Sequence, residues 1–273
     1  MTSLRELDRV EDRIRQHLQA EKRPVLLVEG PDDLMALRQH VPESVIFPAD
    51  GKVNVLRAMS TLSDWEIVGV RAVADADFDD NDDNPSLILY DFRDLEGMLI
   101  ALGALNVLLE NVGSAGKLES AGGSVPVVAS LVEEAIPLAR LRQASRRQAW
   151  GLQFDAVDLQ SKTDTRSVIV DLDRYAAAVV QASDTTASIR EARQAMDTEV
   201  LDARGPRGRD VVAIAGQALR AKLGTLHHAA CKEDVLSPQL RLAAIMLVAE
   251  SNWLARLRQA IQEANAELHE GGA

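Results

Sequence analysis

A single cysteine, Cys231, stands among 273 residues, which excludes an internal disulfide framework and any zinc site built on several thiolates. Positive charge is also short: 30 Lys and Arg face 42 Asp and Glu, for a net charge of −12. That is the wrong sign for gripping a polyanion by bulk charge, so any nucleic-acid contact must be local or metal-assisted. No apolar run approaches the roughly 18 residues of a membrane span, and Met1 to Val10 carries no apolar signal core. A cytoplasmic, reduced protein with no membrane partner is expected. A fixed-period repeat is missing as well, which excludes a solenoid. The length suffices for a substantial core in one large or two modest domains.

What the sequence does have is acid, concentrated in one place. Val73 to Asp83 reads V-A-D-A-D-F-D-D-N-D-D and holds Asp75, Asp77, Asp79, Asp80, Asp82 and Asp83. Carboxylates this dense repel one another, so the loop is solvated or a bound cation offsets its charge. Asp75 and Asp77 separate from the rest: they lie two apart at the carboxyl end of an apolar run, where both can point over one edge of a sheet. Asp79 to Asp83 read as ordinary loop. A calcium loop starting at Asp75 would need Gly at its sixth position and Glu at its twelfth, and Asp80 and Ser86 stand there instead. A phosphatase-type D-x-D-x-[TV] loop keeps its two aspartates but meets Asp79 in place of Thr or Val. A solvated acidic turn without chemistry stays open beside these.

Taken in order, residues 3–21 carry Leu4, Leu7, Val10, Ile14 and Leu18 between charges, an amphipathic helix. Residues 24–29 form a strand buried on both faces, followed by Gly30-Pro31-Asp32-Asp33 and a helix over 34–40. Pro31 suits a first helical turn, and Asp32 and Asp33 suit the positive helix end. Glu29 has no such reason to be there: a carboxylate ending a buried strand is costly unless a cation or hydrogen bonds meet it. Residues 44–48 are the next strand, and Asp50-Gly51-Lys52 opens a helix through about Leu62. Lys52 is placed for a phosphate contact or is a plain surface lysine. Strands over 66–74 and 85–90 and a helix after Asp91 complete four strands alternating with helices. That pattern predicts an α/β fold with a parallel sheet and Glu29, Asp75, Asp77 and the Asp91–Glu96 group at carboxyl ends of strands.

Beyond residue 112 small-residue turns intervene and the composition changes, which predicts a domain over 1–112 and a mainly helical region over 113–273. A long helix is expected at 125–148, a short hairpin or loop from 150–154 and 167–170, and helices near 171–182, 185–203, 209–223, 237–249 and 251–268. His227 and His228 are adjacent and have no ligand spacing, so they read as surface or capping residues.

Four segments, V-E-G-P-D-D-L (28–34), D-G-K-V-N-V (50–55), A-D-A-D-F-D (74–79) and Y-D-F-R-D-L-E-G-M-L (90–99), together resemble the Toprim fold of topoisomerases, primases and overcoming-lysogenisation-defect nucleases. The wording looks closest to a Toprim-like family of unknown function, some members of which are effectors paired with ABC-type ATPases in antiphage defence. The resemblance covers roughly residues 23–105. It implies a Toprim-like sheet and binding of Mg²⁺ or Mn²⁺ by Glu29, Asp75 and Asp77, with Glu96 as a further acid and Asp94 or Asp91 after it. It also implies a nucleic-acid substrate, an ATPase partner and a possible homodimer. One departure stands out: relatives are expected to carry Gly-His-Asp near a late helix, and here Gly216-Gln217-Ala218 occupies that place.

Such acids fit phosphodiester hydrolysis, with Lys52 adding positive charge and Glu96 placing a second metal or acting as base. Tyr90, the only tyrosine near the D-x-D, lies in a strand pattern, and the absence of an activated tyrosine there weakens a topoisomerase reading. Two other readings remain: a non-catalytic interaction module, and a hydrolase using Asp75 as nucleophile. Arg140, Arg142, Arg146 and Arg147, with Arg204, Arg207 and Arg209 around a Gly-Pro loop, are either a backbone-tracking groove or arginines balancing acids elsewhere.

Overall fold

The computed structural model describes residues 9–78 and 84–270. Leu4, Leu7 and the loop aspartates Asp79, Asp80, Asp82 and Asp83 lie outside the described residues. The fold is α/β, and the chain divides into two compact units interleaved in sequence. The first takes residues 9–76, 84–90 and 248–270, and the second takes 77–78 and 91–247. The composition change near residue 112 falls inside the second unit.

The first unit is built on four short strands, β1 (Val25–Val28), β2 (Val45–Pro48), β3 (Val70–Ala74) and β4 (Leu87–Leu89). They lie in the order β2-β1-β3-β4, every pair parallel. Alternate side chains serve opposite faces. Val25, Leu27, Ala72 and Ala74 share a core with Val10 and Ile14 of α1 (Val10–Ala20) and with Val55, Ala58 and Leu62 of α3 (Lys52–Asp64). The short α2 (Pro31–Leu37) follows β1 directly and packs beside β2. A late helix, α12 (Asn252–Glu270), packs on β1 and β3 with Trp253, Leu254, Leu257, Ile261 and Ala264 buried at helical spacing.

The third strand begins at Val70, later than the run from 66 predicts. Glu66 and Gly69 both have positive φ, 55° and 81°, so the chain turns there before it can extend. A Cβ on Gly69 would lie 2.3 Å from Leu268 Cγ, so this entry to the sheet has no room for a side chain beneath α12. Glu267 closes the same corner, accepting from the Gly69 amide at 3.1 Å and pairing with Arg71 at 2.6 Å.

The second unit is helical: α4 (Leu95–Ala101), α5 (Ala104–Val112), α6 (Ala115–Ser120), α7 (Ser124–Arg147), α8 (Leu172–Gln181), α9 (Ile189–Thr198), α10 (Gly208–Arg220) and most of α11 (Glu233–Ala249). Nearly every residue of α10 is buried, and it packs on both α4 and α7. The hairpin alternative over 150–170 does not form. Phe154–Ala156 is a single 3-10 turn, and 163 and 170 make one isolated antiparallel bridge.

Candidate functional site

Strand order fixes where a ligand can approach the sheet. The chain runs from β1 out to β2 on one side, then crosses to β3 on the other, so the switch in direction falls between β1 and β3. In open α/β sheets the crevice at the carboxyl ends of such strands is the binding place. Glu29 directly follows β1 and Asp75 directly follows β3. Glu29 is half-buried, and its Oε1 accepts from the Asp75 amide at 2.7 Å. This hydrogen bond meets part of the desolvation that makes Glu29 anomalous in the sequence. The backbone carbonyl of Glu29 accepts from the Gly51 amide at 2.8 Å, which ties the β2–α3 turn to the same edge. From that turn Lys52, the first residue of α3, reaches Nζ to within 3.4 Å of the Ala76 carbonyl. Glu29, Lys52 and Asp75 are therefore brought together at the sheet edge of the first unit.

Beside them lies a pair that the sequence did not reveal. Tyr90, just past β4, is buried and donates its hydroxyl to Asp33 Oδ1 at 2.6 Å, while Asp33 Oδ2 accepts from the Gly30 amide at 2.9 Å. Burial pushes the Asp33 carboxyl above its ordinary value, and the Tyr90 hydrogen bond pulls the other way. The Tyr90 ring stacks on Trp253 at 5.0 Å. So held, Tyr90 is a packing residue, in agreement with its strand pattern.

Asp77 belongs to the second unit, where Arg93 grips it. The Asp77 amide donates to the Arg93 carbonyl at 2.9 Å, and the Arg93 guanidinium donates back to the Asp77 carbonyl. Asp77 has φ 49°, the left-handed region that aspartate tolerates better than most residues. The Arg93 side chain is 1% exposed; it lies 4.2 Å from the Phe78 ring centroid and also binds Asp202 and the Gly205 carbonyl. Arg93 was missed by sequence reasoning because a lone arginine between two aspartates reads as charge balance.

Asp94 caps two helices at once. Its Oδ1 accepts from Gly97 at 2.7 Å, inside α4, and from Gly208 at 2.8 Å, the first residue of α10; its Oδ2 accepts from Arg209 at 3.3 Å. Two positive helix ends thus converge on one carboxylate. The convergence needs glycine, because a Cβ on Gly208 would sit 2.0 Å from the Gly97 nitrogen. Burial pushes Asp94 above its ordinary value, and these amides with Arg207 oppose the push. Glu96 is also buried, with Arg241 at 3.1 Å and Arg209 at 3.6 Å. Desolvation first, then the neighbouring Asp94, pushes its carboxyl up to about 7 against the pull of both arginines. Asp91 is exposed.

Most of the singled-out arginines are engaged with acids or carbonyls. Arg142 makes a buried bidentate pair with Asp210 at 2.9 and 3.0 Å, Arg147 pairs with Glu199, Arg207 with Asp155, and Arg140 donates to the carbonyls of Met196 and Asp197. A continuous groove of arginines is therefore not what they form. Arg142 and Arg146 do share a cleft of about 500 Å³ with Asp77, Phe78 and Phe154. Gln217, which stands where a histidine was expected, is buried in α10 and accepts from Arg220 at 3.0 Å; Ala218 beside it is buried too. His227 caps a 3-10 turn by accepting from the Ala229 amide.

The sequence-predicted acids thus divide: Glu29 and Asp75 share the sheet edge of one unit, and Asp77, Asp94 and Glu96 stand in the other. Among the described residues, no group of three or more His, Cys, Asp or Glu side chains is arranged to hold a metal ion. Two acids suit Mg²⁺, which takes one or two carboxylates and completes its shell with water and substrate phosphate. No protein-family model matches the chain, and no curated protein and no solved structure is significantly similar to it.

Proposed function

We propose that this chain is a Toprim-type, divalent-metal-dependent nuclease that hydrolyses phosphodiester bonds. The observation that supports it best is the meeting of Glu29 with Asp75 at the switch point of a parallel sheet. Their hard oxygens fit Mg²⁺ or Mn²⁺. When bound, the ion would polarise the phosphoryl group and lower the pKa of attacking water. Glu29 orients the Asp75 backbone through its amide, which fixes where the Asp75 carboxylate starts. Lys52, held near Ala76, adds a positive charge that favours a phosphate and the charge developing on it. Asp77 and Glu96 enter the proposal through the motif resemblance alone, as do an ABC-type ATPase partner and a role as an antiphage effector. Asp94 is left out of the ligand set, since both of its oxygens already cap helices.

A second reading, a non-catalytic interaction module, is favoured by the engagement of Glu29 with the protein's own Asp75 amide. One pair of measurements separates the two. Wild-type protein should give a calorimetric Mg²⁺ or Mn²⁺ binding signal that Asp75→Asn loses, and Glu29→Gln should lower nucleic-acid hydrolysis about 100-fold or more while its melting temperature holds. Wild-type protein that binds no metal and hydrolyses no nucleic acid would leave the interaction module standing, and a folded Glu29→Gln protein that hydrolyses as fast as wild type would remove Glu29 from the site.

A further inference from the structure

The second unit carries a cleft whose walls suit a planar ring and a phosphate. Phe154 is covered by the Arg142 guanidinium, 4.4 Å from its centroid, and Phe78 by Arg93, at 4.2 Å. Both rings line the same cleft of about 500 Å³, which Arg146 and Asp77 also line. Neither arginine–ring pair is loose. Arg142 is locked by two hydrogen bonds to buried Asp210, and Arg93 by Asp202 and two backbone carbonyls. The walls are therefore preorganised, so a ligand need not order them on binding. Aromatic faces and guanidinium planes together are the chemistry that stacks a nucleobase. Arg146 is an exposed cation on the last turn of α7 and can meet a phosphate. Asp77, which also lines the cleft, would repel that phosphate and offers an acceptor for a base amino group.

Resting on the nucleic-acid reading above, we propose that this cleft is a nucleotide subsite: an unpaired base stacks at Phe154 and Phe78, and its phosphate meets Arg146. A paired base cannot enter, because both of its faces are already stacked. The substrate is therefore single-stranded at this position. The same chemistry would also accept a free mononucleotide, and the test distinguishes the two.

The assay uses the full chain in chelator, without divalent metal, so that binding is read apart from hydrolysis. Single-stranded DNA and RNA oligonucleotides containing 2-aminopurine, their duplexes, and AMP are titrated in parallel. The single strands should show a fluorescence change and bind well ahead of the duplexes. Phe154→Ala should weaken that binding about tenfold, Phe154→Trp should restore it, and Arg146→Ala should reduce its salt dependence. Circular dichroism melting of each variant checks that the fold holds. AMP binding as tightly as the strand would identify a mononucleotide as the occupant of the same subsite. Duplex binding equal to single-strand binding, or a folded Phe154→Ala protein that binds like wild type, overturns the subsite. Stacking by a protein that hydrolyses nothing would keep the subsite and remove the nuclease, so the two readings fail separately.

Discussion

At the sheet edge of one unit Glu29 is half-buried and accepts from the Asp75 amide; at the helix crossing of the other, Asp94 is 1% exposed and accepts from the amides of Gly97, Gly208 and Arg209. Both are acids in motifs that read alike in the sequence. Asp94 is answered by the fold itself, with two helix ends and an arginine. Glu29 stands half-buried at the sheet edge, where its Oε1 meets the Asp75 amide. The contrast shows that an acidic motif acquires its role from what surrounds it: buried under two helix ends, Asp94 is a strut, whereas Glu29 holds the backbone of the next acid at a strand end.

The largest effect that tests this contrast is on stability. Asp94→Ala strips a buried carboxylate from three amides and Arg207, and should destabilise the second unit by about 3–5 kcal/mol in urea unfolding. Glu29→Gln keeps an acceptor for the Asp75 amide and should change the same measurement by less than about 1 kcal/mol. Equal losses in the two variants would dissolve the distinction.

A smaller effect concerns pH. The Glu96 carboxyl, raised to about 7 from an ordinary 4.5, holds its proton more tightly in the folded state. Its contribution to stability is fully present below about pH 4.5 and is lost as pH rises through 7. Glu96→Gln should flatten that stretch of the stability–pH curve, a change on the order of 1–3 kcal/mol across it. A curve that keeps its slope in the variant would show that Arg209 and Arg241 hold Glu96 ionised throughout.

The smallest effect is expected at Tyr90. Tyr90→Phe deletes the hydroxyl that meets Asp33 and should cost about 1 kcal/mol, seen in thermal unfolding followed by tryptophan fluorescence, with Trp253 stacked on the ring. No loss would mean that Asp33 is served by Gly30 alone.

The parallel sheet was legible because each strand is a short apolar run closed by an acid or a turn, a local signal. Glu29 and Asp75 could be placed at strand ends for the same reason. The partners of Asp94 could not: Gly208 is 114 residues away, and nothing near Asp94 announces it. Arg93 was hidden likewise, since Asp202 and Gly205 are more than 100 residues on. The start of β3 was misjudged because an apolar run does not reveal positive φ at Glu66 and Gly69. The interleaving of the units was hidden too, since the amphipathic pattern of α12 says that it packs but not on what.

That last helix has a consequence for the order in which the protein is made. Arg71 pairs with Glu267 across 196 residues, and Trp253 donates to the Leu89 carbonyl across 164. Closing so long a loop costs little extra stability, because the entropy grows only with the logarithm of length, but such distant contacts slow folding. A ribosome builds all four strands and then the whole second unit before α12 exists to cover the sheet. Until then β1 and β3 lack one of the helices that pack on them, and the carboxylates at their ends are aimed by an incomplete scaffold. A chain halted before residue 252 carries every acid of the proposed site without the finished platform that gives them direction.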